Sequence, residues 1–398
     1  MSKKIVQINI VCNGSTGRIM GQIQQEAIKN GWEAYSFYGR GNPANDRCYK
    51  LSSKFDTLSH LVLTRLFDIH GHGSKRATKK LIKEIDKINP DVIQLHNIHG
   101  YYLNIKILFK YLKKCNKKIV WTLHDFWAIT GHCAHFTYPK CEKWKTGCSK
   151  CIRKKDYPKS SFLDGSKREY LLKKDLFTGI SNMTIVAPSR WVASHIPESF
   201  LGEYEVKVIN NGIDLDVFKP TSTIDIRKKY NIPSEKKIIL GVSSIWDEKK
   251  GLTEFYELAK ELKEEYVVVL VGLEKEQIQK LPTNIIGISR TENVEELACF
   301  YTAAEVLFNP SKEETFSLVT AEAMACGTQV IVYDNSAVKE VVEDSKVGMI
   351  IDVNKPLKEN ILLINEFLNK NKGEKIDRVT RYSLENMTTS YIELYNEK

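Results

Sequence analysis

The stretch from 309 to 334 reads NPSKEETFSLVTAEAMACGTQVIVYD, which is a loop, a helix and a strand in that order. The segment Leu318–Cys326 is apolar enough for a buried helix, and Gly327 is a typical residue for ending one. The run QVIVYD then predicts a buried strand. Two carboxylates stand out, because Glu314 precedes the helix and Glu322 lies inside it.

The same alternation of β-rich runs and helical stretches extends over the whole chain, including a long basic helical stretch at 55–89. It starts at KKIVQINIV and restarts after the Asn-, Gly- and Asp-rich connector at 207–218. Alternating strands and helices predict doubly wound parallel sheets. Since 398 residues is long for one core, we predict two Rossmann-like α/β domains facing across a cleft, at 1–200 and 201–375. The last stretch, 376–398, is predicted to be a helix that packs back on the first domain.

Composition and charge restrict the class of protein. Hydrophobic residues make up 42% and charged residues 27%, which is ordinary for a soluble globular protein. No apolar segment reaches the ~18 residues needed to span a bilayer, and the short apolar run at the N-terminus lacks a small-residue cleavage site. We therefore expect a cytoplasmic protein.

The charge is divided unevenly along the chain. Residues 1–200 hold 34 Lys/Arg and 15 Asp/Glu, a balance of +19, and the remaining 25 and 34 give −9 for 201–398. A basic half suits an anionic membrane surface, a phosphate-bearing substrate or nucleic acid. A generally lysine-rich proteome is the alternative explanation, although it would not make the second half acidic.

The start of the helix in the opening stretch has the features of an anion site. Thr315 or Ser317 can cap this helix, and the backbone amides from Phe316 to Leu318 would then point outward with the positive end of the helix dipole. Glu322 lies about 12 Å further along than Glu314 at 1.5 Å per residue. A diphosphate flanked by two hydroxyl-rich groups fits this layout, which suggests a nucleotide-sugar. Two solvated carboxylates would explain the spacing alone equally well.

Four segments together resemble glycosyltransferase family four, which consists of retaining enzymes of the GT-B architecture. The opening stretch is similar to the family's Glu-x7-Glu region, with its pattern EGFGLV-x-x-EAMACG. Further similar segments are VINNGIDLDVFKP at 208–220, IVAPSRWVASHI at 185–196 and GVSSIWDEKKGL at 241–252. The resemblance covers nearly the whole chain.

The resemblance implies a role for individual residues. Glu314 would contact the donor sugar hydroxyls, and Glu322 would bind the ribose diol. The amides of Phe316, Ser317 and Leu318, together with Lys250, would hold the diphosphate. In the first domain, His124 would lie near the transferred sugar, and the loop of Gly14 and Gly17 would approach donor and acceptor. The family transfers sugars on the front face without an established nucleophile, and it usually needs no metal.

Two departures from the family pattern affect the predicted site. The family's EGFG is ETFS here, so side chains at 315 and 317 replace two glycines. The family's usual arginine before the EKKG lysine has no match in Ser244–Trp246. Lys249, Arg290 or Arg18 are the candidate replacements.

A cysteine cluster is the unusual feature of the first domain. The chain has nine cysteines, an odd count that argues against a disulfide framework. Cys133, Cys141, Cys148 and Cys151 lie within nineteen residues, which suits a small structural zinc site. Free thiols and a redox switch are the alternatives.

Taken together, these patterns predict a retaining glycosyltransferase that uses a nucleotide-sugar donor and a glycan or lipid-linked oligosaccharide acceptor. Capsular, exopolysaccharide or O-antigen biosynthesis is the expected context. Basic and aromatic residues in the first half favour peripheral contact with an anionic membrane on its inner face over nucleic-acid binding. The alternatives are a GT-B nucleotide-sugar epimerase and a non-catalytic nucleotide-sugar or nucleic-acid binding protein.

Overall fold

The computed structural model describes residues 2–43, 45–345, 347–371 and 373–397. They divide into two compact units, one of residues 1–210 with 387–398 and one of residues 211–386. Among the described residues, the strands of each unit form a single sheet in which every pair of neighbours is parallel. The fold is therefore the doubly wound α/β arrangement that the alternating pattern predicts.

The first unit is built on a seven-stranded sheet in the order β3-β2-β1-β4-β5-β6-β7, counted over the described residues. Its elements are β1 Lys4–Val11, α1 Gly14–Lys29, β2 Glu33–Arg40, β3 Cys48–Lys50, α2 Lys54–Phe67, α3 Lys75–Ile88, β4 Val92–Leu95, α4 Ile105–Leu112, β5 Lys118–Thr122, α5 Lys143–Thr146, α6 Ser166–Phe177, β6 Met183–Ala187, α7 Arg190–His195 and β7 Glu205–Val208. The basic stretch 55–89 forms two helices instead of one, because the segment between α2 and α3 is a turn that contains Gly71 and Gly73.

The second unit has a six-stranded sheet in the order β10-β9-β8-β11-β12-β13, again over the described part of the chain. Its elements are α8 Ile226–Lys229, β8 Lys237–Val242, a 3-10 helix Glu248–Lys250, α9 Leu252–Glu261, β9 Tyr266–Val271, α10 Lys275–Ile278, β10 Ile285–Ile288, α11 Val294–Ala303, β11 Ala304–Asn309, α12 Leu318–Ala325, β12 Gln329–Tyr333, α13 Val338–Ser345, β13 Met349–Ile351 and α14 Leu357–Lys370. All six residues of β9, YVVVLV, are buried, as expected for a strand covered on both faces.

The last helix, α15, spans Leu384–Asn396 and returns to the first unit from Met387 onward. It begins later than the predicted stretch 376–398. The Tyr391 hydroxyl lies 2.9 Å from Thr122 Oγ1 of β5, and the Tyr395 hydroxyl donates to Gln94 of β4. These buried hydrogen bonds tie the helix to two central strands of the first sheet.

Candidate functional site

In the second unit, two loops meet at the point where the strand order reverses. Strands β8 and β11 are neighbours, and the loops 243–251 and 310–317 follow their carboxyl ends. The amide of Lys312 donates to the carbonyl of Lys249 over 2.8 Å, which joins the two loops. Ligands of open parallel sheets bind at this position.

Lys250 and Glu314 come together across these loops. Lys250 Nζ lies 2.6 Å from Glu314 Oε1 and 3.4 Å from Ser311 Oγ. Asp247 Oδ1 accepts from the amides of Lys249 and Lys250 at 2.9 and 3.0 Å, which fixes the turn that carries them. The structure therefore brings two of the predicted catalytic residues into direct contact.

Gly251 allows this turn to approach the second loop. Its φ is +77°, and a Cβ added there would lie 2.4 Å from Pro310 Cγ. A side chain at this position would thus be strained and would also push the loops apart.

The start of α12 is held by polar side chains. Ser317 adopts a left-handed conformation with φ +83°, and its Oγ accepts from Asn309 Nδ2 over 2.9 Å. Asn309 Nδ2 also donates to Thr320 Oγ1 over 3.0 Å. Phe316 is buried and packs edge-on against Tyr382, with 5.2 Å between the ring centroids. The amide of Thr320 donates to the capping Ser317 Oγ, and the amides of Leu318 and Val319 stand at the positive end of the helix dipole.

The other predicted donor-binding residues lie in different environments. Glu322 is only 4% exposed, and its Oε2 accepts from the hydroxyl of Tyr301 over 3.0 Å. Arg290 is exposed just after β10, and Lys249 is half-buried. In the stretch Ser244–Trp246, which lacks the family's arginine, Trp246 is buried and its indole donates to the carbonyl of Val271 over 2.9 Å.

In the first unit, both predicted glycines stand at the start of α1. Gly14 has φ +73° and no neighbour within 4 Å of an added Cβ. Gly17 packs so closely on the end of β1 that an added Cβ would lie 2.6 Å from the carbonyl carbon of Cys12. Gly14 supplies a backbone conformation with positive φ, and Gly17 permits the close approach of α1 to the end of β1.

His124 is held in a chain of hydrogen bonds that reaches back to α1. Gln7 Nε2 donates to the carbonyl of Met20 over 3.1 Å, which leaves Gln7 Oε1 facing His96 Nε2 at 3.2 Å. His96 Nε2 must then donate, so its Nδ1 accepts from His124 Nε2 over 3.0 Å. The network assigns the proton of His124 to Nε2 and leaves the lone pair on Nδ1.

Burial keeps both imidazoles neutral at neutral pH. It lowers the pKa of His124 to about 4 and the pKa of His96 well below its ordinary value. Their rings are stacked, with centroids 5.3 Å apart. A neutral His124 is a hydrogen-bonding group and not a cationic one.

Asp125 orients a different imidazole from its neighbour in sequence. Its Oδ2 lies 2.8 Å from His99 Nε2, and its Oδ1 accepts from the amide of Trp127 over 2.9 Å. Burial opposes ionisation, but the charge and hydrogen bond of His99 outweigh it and lower the pKa of Asp125 to about 2. His99 Nδ1 lies 2.8 Å from the hydroxyl of Tyr157.

The four clustered cysteines are near one another but do not form a recognisable metal centre. The thiols of Cys133 and Cys151 share a hydrogen bond, which lowers the pKa of Cys151 and, with burial, raises the pKa of Cys133. Cys148 Sγ accepts from the amide of Gly131 over 3.2 Å. Among the residues that the structure describes, no three His, Cys, Asp or Glu side chains are arranged to hold a metal ion. The zinc site of Cys133, Cys141, Cys148 and Cys151 is therefore not seen, and all nine cysteines are free thiols.

Sequence reasoning missed several residues that shape these sites. Asn309, Ser311 and Tyr301 contact the predicted donor-binding residues, and Gln7 contacts the His96 ring that orients His124. The signal for Asn309 and Ser311 was present in the Asn-Pro-Ser break after β11. The other contacts join residues far apart in sequence, so periodicity carried no signal for them.

Comparison with known proteins matches each part of the chain to a sequence family. Residues 24–217 match the family described as Glycosyltransferase Family 4, and residues 222–384 match Glycosyl transferases group 1. Both descriptions name glycosyltransferases, so the epimerase and binding-protein alternatives are not favoured.

None of the helices in the described part of the chain combines the length and the apolar character that a membrane-spanning helix needs.

One curated relative is similar to the chain in sequence over most of its length, and two solved structures share its fold. The chain is 26% identical over 364 residues to the putative colanic acid biosynthesis glycosyl transferase WcaC of Escherichia coli K12, covering 86% of this chain and 85% of that one. A glycosyltransferase from Rickettsia africae superposes with a TM-score of 0.68 at 17% identity, over 99% and 98% of the two chains. Anabaena HepE in complex with UDP-glucose superposes with a TM-score of 0.64 at 14% identity, over 98% of each chain.

Proposed function

This chain belongs to glycosyltransferase family four and has the GT-B architecture, and we propose that it transfers a sugar with retention to a glycan or lipid-linked acceptor. The donor is a nucleotide-sugar. The E. coli relative, named for colanic acid biosynthesis, supports a place in the assembly of a surface polysaccharide. One observation carries the proposal: Lys250 and Glu314 meet beside the start of α12, where the strand order reverses.

The second unit supplies the groups that a nucleotide-sugar needs. The backbone amides of residues 316–318, at the start of α12, and the ammonium of Lys250 bind the diphosphate and neutralise the charge that grows on it as the glycosidic bond breaks. Phosphate oxygens then compete with Glu314 for Lys250, which releases the Glu314 carboxylate to accept from the sugar hydroxyls. Glu322 binds the ribose diol, and its Oε2 accepts from the hydroxyl of Tyr301. Lys249 and Arg290 supply further positive charge in place of the missing arginine.

The first unit contributes the groups that contact the transferred sugar and the acceptor. His124 lies near the transferred sugar, and its Nε2 proton is committed to His96. Gly14, where nothing lies within 4 Å of an added Cβ, lets the loop after β1 approach substrate, and Gly17 keeps α1 packed against the end of β1. We assign no protein nucleophile, and the transfer step requires no metal ion. Zinc at the four cysteines stays a prediction of the sequence.

The net charge of the first half supports contact with an anionic membrane. Residues 1–200 carry 34 basic and 15 acidic side chains, so this half is attracted to acidic lipid head groups. We place the protein in the cytoplasm, peripheral on the inner face of the plasma membrane, where a lipid-linked acceptor is accessible.

A thermal-shift panel with UDP, GDP, ADP and their sugars tests the donor site. One nucleoside diphosphate should raise the melting temperature, and its sugar form should raise it further. Glu322→Gln keeps an oxygen for Tyr301 but loses the charge, so the diphosphate shift should shrink. Tyr301→Phe is the matched control, because it removes the hydrogen bond and leaves the carboxylate. If no nucleotide stabilises the parent, or if Glu322→Gln responds like the parent, the proposed donor site is wrong.

A further inference from the structure

Helix α2 is oriented with its polar side inward and its apolar side outward. The residues it buries are His60 and Thr64. Its exposed side chains recur at spacings of three and four residues, which places them on one face of the helix. This face carries Phe55, Leu58, Val62 and Leu66, of which Phe55 is 79% exposed.

The polar face is fixed by hydrogen bonds, so the helix cannot turn its apolar face inward. His60 Nδ1 lies 3.1 Å from Ser74 Oγ, and the amide of Gly71 donates to His60 Nε2 over 3.0 Å. The ring of His60 packs against Gly73, where an added Cβ would lie 2.3 Å from it. A rotation of α2 would leave these buried groups without partners, which is costly.

The apolar face continues onto a neighbouring loop. The amide of Ser161 donates to the carbonyl of Arg65 over 2.8 Å, which holds the loop against the end of α2. Phe162, 70% exposed, and Leu163 follow directly. We call the exposed residues Phe55, Leu58, Val62, Leu66, Phe162 and Leu163 the α2 patch.

The helix and loop of the α2 patch also carry exposed basic side chains, and two of their carboxylates are already engaged. Lys54, Lys155 and Lys159 are exposed on the same helix and loop. Asp56 accepts from Ser53 in the capping box of α2, and Asp156 pairs with Arg153 at 2.7 Å. If a second copy of the chain docked face to face on this patch, its lysines would face the same lysines of the first copy. This repulsion disfavours a homodimer. An anionic lipid surface can bury the apolar side chains of the α2 patch and attract the exposed lysines.

We propose that the α2 patch docks on the surface of an anionic lipid bilayer. Its aromatic and aliphatic side chains enter the boundary between head groups and acyl chains, and the lysines remain at the level of the lipid phosphates. The inference rests on the proposed function in one respect, since it places the enzyme where a lipid-linked acceptor lies.

Co-sedimentation of the full chain with vesicles tests this surface. We expect binding to phosphatidylcholine vesicles that contain phosphatidylglycerol and much weaker binding to pure phosphatidylcholine. Phe55→Ser combined with Leu66→Ser should lower the partition coefficient about tenfold or more, because two buried apolar side chains are lost. Leu171→Ser and Leu362→Ser are matched controls, since they remove side chains that are 56% and 57% exposed outside the patch. Equal binding of the double variant and the parent would overturn the proposal.

Two further measurements separate the possible failures. Light scattering gives the mass in solution. If the parent is a dimer, the double variant is a monomer and both bind vesicles equally, lipid docking is overturned. Nucleoside-diphosphate thermal shifts report the donor site independently. If the double variant keeps the parent's shift and loses vesicle binding, lipid docking is supported. A parent that shows the nucleotide shift and no vesicle binding overturns only the docking surface.

Discussion

Lys250 and Glu314 lie in different loops, yet Lys250 Nζ is 2.6 Å from Glu314 Oε1. The ammonium thus has a carboxylate partner in the position where the proposed function puts a phosphate. Both side chains are partly exposed, so the pair itself adds only about 0–1 kcal/mol to folding stability. The pair matters for its position, because it places two donor-binding side chains next to each other. When the donor binds, phosphate oxygens replace Glu314 as the partner of Lys250.

The first prediction separates the roles of these two residues. Lys250→Met should weaken nucleoside-diphosphate binding roughly 10- to 100-fold, as expected for losing a charged hydrogen bond. Glu314→Gln should retain that binding, since it releases Lys250, but should lower kcat by about 10²–10³. Calorimetric titration and initial rates measure the two effects. Lys260→Met, which removes an exposed lysine paired with Glu257, is the control and should change neither. Equal loss of diphosphate binding in both variants would contradict the assignment.

The second prediction concerns the dependence of stability on pH. Burial lowers the pKa of His124 to about 4 from 6.5, so the unfolded chain takes up a proton at a higher pH than the folded one. The neutral His124 side chain therefore makes its full contribution to the free energy of unfolding above pH 6.5. As the pH falls toward 4 this contribution is lost, and the loss is roughly 3 kcal/mol at most. Urea unfolding at a series of pH values measures it.

The variant His124→Asn isolates this histidine from the others. Its free energy of unfolding should decline less steeply than the parent's between pH 6.5 and 4. The difference in slope should correspond to at most one proton taken up on unfolding. His60, whose pKa burial also lowers to about 4, keeps a decline in the variant. Identical slopes for parent and variant would show that His124 does not titrate as its burial implies.

The third prediction compares two glycines one turn apart on α1. An added Cβ at Gly17 would lie 2.6 Å from backbone atoms of Cys12, whereas at Gly21 nothing lies within 4 Å. Gly21→Ala should stabilise the protein by about 0.5–1 kcal/mol through helix propensity. Gly17→Ala should destabilise it by roughly 1–3 kcal/mol and reduce activity, because the helix must move away from β1. Chemical denaturation and initial rates test both, and equal effects would refute the close approach.

Much of the fold could be predicted from local patterns, because each central strand is a short apolar run and several helices start at a capping side chain, such as Asn104 before α4 and Asn293 before α11. The predictions failed where local signals were weak. Strand β7, Glu205–Val208, reads as the beginning of a polar connector. Likewise, the sequence suggested His124 but could not show what orients it, since Gln7 and His96 are brought to it by the pairing of β1 with β4. Side-chain networks between distant segments follow from sheet order, which periodicity does not specify.

The last prediction addresses the serine that replaces a family glycine at the start of α12. Ser317 has φ +83°, which costs a non-glycine residue about 1–3 kcal/mol, but its Oγ accepts from Asn309 and caps the helix. Ser317→Gly removes the strain and loses these bonds, so the free energy of unfolding should change by less than about 1 kcal/mol. Ser317→Val keeps a strained backbone without a cap and should cost about 2 kcal/mol or more.

Ser53, the N-cap of α2 at φ −75°, provides the matched control. Ser53→Gly loses a cap without relieving strain, so it should only destabilise. Urea unfolding of the three variants beside the parent gives the comparison. If Ser317→Gly destabilised the protein more than Ser53→Gly did, the left-handed backbone at Ser317 would not be strained. The hydrogen bond from Asn309 to Ser317 would then be what determines the residue at this position.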